Sequence, residues 1–444
     1  MNNETIWSND LNDFMSFSNE YNSVPNWMCG NNSQNYFSIS KNQQKSNDLR
    51  KKNEILVAKF NEDTFFYYDK TDKKEAFDYC KRCEKNNPND SVLLTFIGIC
   101  FKVGIGTKIN KNKCFEYLSK AVKIEDSFDY KWIFMGVCYE HGIGTEKNEA
   151  EGFKCYKKVI KLNPENSYAW HELGYCYQYG KGTKKNESEA FKCYKKSAEI
   201  DSSDSNVWNN LGYFHQNGIG TEKNEAEGFK CRKKAIEINP ENSEAWANLG
   251  WCYLNGIGTE KNEAEGFKCY KKVIKLNPEN YVAWANLGWC YLNGIGTEKN
   301  EPEAFNCYKK AVEINPENYV AWVSLGWCYL NGIGTEKNET KVFKCYKKAI
   351  EIDSNNSYAW NQLGYCHENG IGTEKNETET FNCYKKAVEL NSNNSTILSN
   401  IGHCYLRGIG TEVDKLKAKE LLSKALEIDP DCEEIKTVLK ECDE

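Results

Sequence analysis

The stretch WANLGWCYLNGIGTEKNEAEGFKCYKKVIKLNPEN, Trp246 to Asn280, decides the fold, because nearly the whole chain is built from copies of it. Its loop signature G-x-G-T recurs with first glycines at Gly104, Gly142, Gly180, Gly218, Gly256, Gly294, Gly332, Gly370 and Gly408, a step of 38 residues without slippage. Self-similarity at such a period marks a stacked repeat architecture, in which each tile buries its apolar face against the next. The nine tiles are numbered here by those glycines, and positions are counted from them.

Ten residues before the glycine stands Trp in tiles two to eight, from Trp132 to Trp360. Seven before is Leu or Ile in most tiles, six before is Gly throughout, and three before is aromatic or His. A set such as Trp170, Leu173, Gly174 and Tyr177 follows i, i+3, i+4, i+7 and predicts an apolar stripe on a helix, called A. Glycine inside a helix costs about 1 kcal/mol against alanine, so its recurrence from Gly98 to Gly402 points to a close approach that a β-carbon would block. The loop glycine suits a left-handed helix end. Six residues on, Asn148 and its equivalents precede Glu151 and its equivalents, a capping-box-like start for a second helix, B. Helix B carries small and aromatic residues over a broad face, as in Gly152, Tyr156 and Val159, the pattern of a helix packed between two neighbours. N-P-E-N, as at Asn163 to Asn166, then breaks the chain before the next helix A.

W-x2-L-G-x2-Y, followed by small, aromatic and small residues and a closing Pro, resembles the tetratricopeptide repeat. The inserted loop, G-x-G-T-x-x-N/D with a small residue four further on, resembles the Sel-one-like repeat, the longer branch of that superfamily. Phe214 for Cys and Lys181 for Ile are departures within it. The resemblance spans roughly residues 90 to 431. It implies an all-α fold, an α-solenoid in which antiparallel helix pairs wind into a right-handed superhelix, and a protein-interaction role without family-wide catalytic residues.

Four segments follow. Residues 1–50, rich in Asn and Ser, form a disordered tail; within it Trp7, Leu11 and Phe14 have helical spacing, either a short docking motif or an accident of composition. Residues 51–89 form a degenerate capping repeat, 90–431 the nine tiles, and 432–444 a solvating terminal helix, since solenoids need polar ends. A net charge of −6 leaves no nucleic-acid footprint. There is no apolar run of membrane length and no signal-like start near Met1, so a cytoplasmic or nuclear protein without membrane insertion is expected. Oligomeric state is not legible.

Of 21 cysteines, most fall four before or thirteen after the loop glycine, as Cys252 and Cys269 do. They read as small buried hydrophobes. The competing reading is one disulfide per tile, as in secreted bacterial relatives, whose cysteines are spaced differently. Cys80-x-x-Cys83 lacks a second pair, and His141, His171, His215, His367 and His403 suggest no triad or metal cluster. No catalytic residues, metal or cofactor are expected, and the G-x-G-T glycines follow a helix rather than the strand of a phosphate loop.

The face of helix A opposite the stripe supplies the candidate site. Five before the glycine stand Tyr175, Tyr213, Trp251, Trp289, Trp327 and Tyr365. Eight before are Asn210, Asn248 and Asn286, and one before are Asn255, Asn293 and Asn331. Rings offer buried area, and carboxamides both donate to and accept from a peptide backbone. The resemblance to tetratricopeptide scaffolds implies that helix A lines a concave groove with this face pointing into it, and an extended peptide of a protein partner is the expected ligand. The alternative is that the rings only pack between A helices, in a solenoid that associates with itself. Lys102 and Arg407, at the ends, are the basic residues nearby, so a terminal carboxylate is not the expected ligand.

Overall fold

The computed structural model describes residues 70–442, with side chains from Lys73 onward. The expected tail, residues 1–50, and the start of the capping segment, 51–69, lie outside the described residues. Among the described residues there are twenty helices and no strand.

Two compact units divide them, the first ending at Ile238 and the second starting at Asn239. The 38-residue period runs through that boundary unbroken, so the division is not legible in the sequence. In the first unit Lys70–Asn86 precedes the A helices Ser91–Val103, Tyr130–His141, Ser167–Tyr179 and Ser205–Asn217. Each is followed by its B partner: Lys111–Ala121, Glu149–Leu162, Glu187–Ile200 and Glu225–Ile238. In the second unit the A helices are Ser243–Asn255, Tyr281–Asn293, Tyr319–Asn331, Ser357–Asn369 and Ser395–Arg407. Their B partners are Glu263–Leu276, Glu301–Ile314, Glu339–Ile352, Glu377–Leu390 and Lys415–Ile428, and Glu433–Glu441 closes the chain.

Tile six shows why the helices start and stop where they do. The Asn280 side chain accepts from the Ala283 N–H at 2.9 Å, capping helix A, and Asn300 accepts from Glu303 N–H at 3.1 Å to cap helix B. Helix A ends at Gly294, whose φ of 68° is left-handed, and Ile295 N–H reaches back to the Cys290 carbonyl at 2.9 Å. Asn300 N–H donates to the Tyr291 carbonyl at 2.8 Å, so backbone bonds pin the loop to both helices.

The buried stripe of helix A is not centred where the sequence places it. Ala283, Leu287, Gly288 and Cys290 are buried, whereas Trp284 is half-buried. The indole N–H of Trp284 donates to the Pro278 carbonyl at 2.8 Å, and Trp170, Trp246 and Trp322 bind the corresponding prolines. The repeated tryptophan therefore clamps the inter-tile turn as well as packing.

In most tiles the helix-A glycine sits under a ring of its own tile's helix B. A β-carbon on Gly288 would lie 2.8 Å from Cε1 of Tyr308, and one on Gly174 would lie 2.9 Å from Cδ1 of Tyr194. The second loop glycine faces the previous tile instead: a β-carbon on Gly182 would stand 2.1 Å from the Glu149 carbonyl oxygen. Gly106 meets the Lys73 carbonyl in the same way, so Lys70–Asn86 takes the place of a preceding helix B. At the other end, Ile435 of Glu433–Glu441 packs with Leu398, Leu406 and Leu422.

All twenty cysteines among the described residues are free, most of them buried. Burial pushes the thiols of Cys269, Cys307 and Cys345 up to about 12, which keeps them protonated and unreactive. Adding dithiothreitol is therefore expected to leave the melting temperature unchanged. A drop of several degrees on reduction would mean that bridges hold the tiles, against the packing role.

Candidate interaction face of the A helices

Trp251, Trp289 and Trp327 occupy one slot in three successive A helices of the second unit, and all three are half-buried. Trp289 packs at the edge of a cluster that includes Leu287 and Cys290. Tyr365, in the next tile, is 39% exposed. In the first unit Tyr175 and Tyr213 are half-buried, with the Tyr175 ring 4.7 Å from that of Tyr179. Each ring thus keeps one part against the core and one part in solvent, as an aromatic at the margin of a helix interface does.

The carboxamides have duties the sequence did not reveal. Asn255, Asn293 and Asn331 are exposed, but each donates its amide to a carbonyl four residues back, that of Trp251, Trp289 or Trp327, at 2.9, 2.9 and 3.0 Å. Each side chain thus bonds back onto the backbone of its own helix near its C-terminus. Asn286 is buried at 5% exposure, and Asn248 is half-buried. The Asn210 amide lies 3.3 Å from Nε2 of His171 in the previous tile, and Asn400 donates to Asn361 at 2.8 Å. The slot eight before the glycine thus links successive A helices, a role requiring coordinates to see.

One stretch of this face departs from the repeat as a group. Glu140 of tile two and Glu172 of tile three are both buried. Tyr156 donates its hydroxyl to Glu140 at 2.9 Å, and the ammonium of Lys181 lies 3.9 Å from the same carboxylate. Lys181 also donates to the Tyr175 hydroxyl at 2.7 Å, with the ammonium 4.3 Å from that ring's centre. Burial, then the nearby Glu140 charge, pushes the Glu172 carboxyl up to about 8. The His171 imidazole, 3.7 Å from Glu172, is pushed down by burial. Lys181 in place of Ile is thus matched by Tyr175 of its own tile and by Glu140 of the tile before, the latter far away in sequence.

Metal-ligating side chains also meet where the sequence suggested none. His367, Glu379 and Cys383 of tile eight bring their ligand atoms within 4.8 Å of one another. Sequence inspection missed them because the histidine lies on helix A and the other two on helix B. The signal available was a histidine in the aromatic slot of a tile retaining Glu and Cys. Cys80 is buried and Cys83 half-buried in the first described helix.

The Sel1 repeat profile matches residues 94–124, 133–164, 167–202, 209–239, 283–315, 357–392 and 398–429, together more than half of the chain. The chain is a Sel1 repeat protein. It belongs to the wider tetratricopeptide superfamily, whose repeat profile matches 233–264 and 307–340. A protein prenyltransferase alpha subunit repeat profile matches 264–294 and 340–370. These four additional matches start in a helix B and run on toward or through the following helix A, so they read the same alternation of helices in the other phase. No curated protein matches this Sel1 repeat protein. Among solved structures it is similar to a protective antigen of uropathogenic Escherichia coli strains displaying an SLR fold. That likeness has 23% identity and a TM-score of 0.67 over 83% of this chain and 75% of that one. It is also similar to a Sel1 repeat protein from Oxalobacter formigenes, with 24% identity and a TM-score of 0.49 over 59% of this chain and 97% of that one. No helix among the described residues is long and apolar enough to cross a membrane.

Proposed function

We propose that this Sel1 repeat protein is a non-catalytic adaptor of a reducing, cytoplasmic compartment, binding an extended segment of a protein partner along its A helices. The observation that supports the reading best is the row Trp251, Trp289 and Trp327, half-buried in one slot of three successive tiles. Large rings held at the surface by a rigid scaffold bind with little ordering cost, and aromatic anchors dominate interface energies. Leu292 and Leu330, three residues further along the same helices and half-buried, add apolar character, whereas Leu254 is buried in the core. Because Asn255, Asn293 and Asn331 bond to their own helices, the rings rather than the carboxamides carry recognition in this reading. The buried free cysteines support the reducing compartment.

The test is the triple substitution Trp251→Ala, Trp289→Ala, Trp327→Ala, with folding followed by circular dichroism and binding by a fluorescent peptide library. The expected result is a helical protein whose peptide affinities fall at least about a hundredfold, since such anchors are typically worth about 2 kcal/mol or more each. A folded variant that keeps every peptide sinks the proposal. An unfolded one shows that these rings are core. Concentration-dependent light scattering of the wild type, abolished by the same substitutions, favours self-association instead.

A further inference from the structure

We propose that His367, Glu379 and Cys383 form a zinc-class metal site that ties helix A of tile eight to its helix B. The slot three before the loop glycine normally holds a ring standing edge-on to a phenylalanine of the preceding helix B. Tyr177 does so against Phe153, Tyr291 against Phe267 and Tyr329 against Phe305, at 5.2–5.3 Å between centres. His367 keeps that arrangement, 5.3 Å from Phe343 at 87°. Stacking therefore does not distinguish histidine from tyrosine here. The histidine adds a ring nitrogen.

That nitrogen enters a neighbourhood already holding two ligands. Glu379 lies in the first turn of Glu377–Leu390, and Cys383 follows one turn later, so the two share a helix face. Tiles five and six carry the same pair, Glu265 with Cys269 and Glu303 with Cys307, but face it with Tyr253 and Tyr291. Tile eight supplies a third donor, and its three ligand atoms lie within 4.8 Å of one another. Tile four has the same residue types in these slots, His215, Glu227 and Cys231, but among the described residues only the tile-eight set draws that close. A second observation points the same way: Nδ1 of His367 is buried without a hydrogen-bond partner among the described residues. A buried polar atom left so carries a desolvation cost, which a metal bound at that nitrogen offsets.

The donor set selects the metal. Imidazole nitrogen, thiolate and carboxylate suit Zn2+ and its analogue Co2+, whereas Mg2+ and Ca2+ prefer oxygen alone. Zinc bonds of ordinary length in a tetrahedron place their ligands about 3.4–3.6 Å apart. Ligand atoms within 4.8 Å of one another reach that spacing by closing little more than one ångström at most, and the Glu379 side chain is long and exposed. Three protein ligands leave the fourth position to water. Binding releases the thiol proton of Cys383 to solvent as the sulfur–metal bond forms.

The test adds Co2+ and then Zn2+ to the reduced, metal-free full chain. Thiolate-to-cobalt absorption reports coordination by sulfur, and competition with a chromophoric chelator gives affinity and stoichiometry. The wild type is expected to bind at tile eight with sulfur coordination and to melt at higher temperature with zinc. His367→Tyr restores the residue that most tiles hold, so it retains the fold. It and Cys383→Ser are expected to lose that absorption and more than about tenfold in zinc affinity, while His215→Tyr leaves both unchanged. Should Cys383→Ser misfold, Glu379→Gln, at an exposed position, carries the same comparison. No sulfur-to-cobalt band in the wild type, or undiminished binding in His367→Tyr and Glu379→Gln, overturns the site.

Discussion

Gly296→Ala is expected to destabilise the second unit by about 3–5 kcal/mol, whereas Gly294→Ala, two residues away in the same loop, costs about 1–2 kcal/mol. Both glycines are left-handed, with φ of 66° and 68°, so an alanine at either pays the same conformational penalty. They differ in what the new methyl group meets. At Gly294 the nearest atom is the Lys299 nitrogen at 3.4 Å, an ordinary contact. At Gly296 it is the Glu263 carbonyl oxygen at 2.1 Å, with the carbonyl carbon at 2.5 Å, and both belong to the backbone of the previous tile. No rotamer change relieves that overlap, so the tiles must separate. Since a repeat stack is stabilised by nearest-neighbour interfaces, the denaturation curve is expected to broaden as well as shift. Hydrogen exchange should place the loss at tiles five and six. Equal costs for the two substitutions in parallel urea titrations would show that the loop does not hold the tile interface.

Glu172→Gln is expected to stabilise the first unit above neutral pH and to remove most of the pH dependence of its melting. The wild-type carboxyl titrates at about 8 in the folded state against an ordinary value of 4.5. Between those values the unfolded chain has released the proton and the folded chain still holds it, so stability falls as pH rises from about 4.5 to about 8. The full penalty is absent below that window and complete above it. Its size, about 5 kcal/mol at most, follows from the shift at about 1.4 kcal/mol per unit. Glutamine is uncharged at every pH and similar in size, and retains groups able to bond with Tyr168 and its other neighbours. His171 acts in the opposite direction, because an imidazole held neutral by burial costs stability as pH falls below its ordinary 6.5. Melting temperatures measured from pH 5 to 9 for both chains decide the matter. Parallel profiles would mean that Glu172 is ionised in the folded protein and compensated by Lys181.

The recurrence of Gly-x-Gly-Thr every 38 residues determined, without coordinates, that the chain is a stack of helix pairs and where each helix starts and ends. Those features are local: a left-handed turn needs glycine, an N-cap needs a short polar side chain, and period and spacing are properties of the chain itself. Even the helix-A glycine was legible as a close approach, although only the structure shows the Tyr308 ring that makes it. Tertiary structure alone decided the rest, because it depends on which tile each side chain meets. It moved the buried stripe from the tryptophans toward alanine and cysteine, and bound Trp284 to the Pro278 carbonyl. It assigned Asn255, Asn293 and Asn331 to their own helix ends. It joined Lys181 to Glu140 across 41 residues of sequence and brought His367 to Glu379 and Cys383. A periodic sequence fixes the slot a residue occupies, and departures from the period acquire meaning only once neighbouring slots are brought together in space.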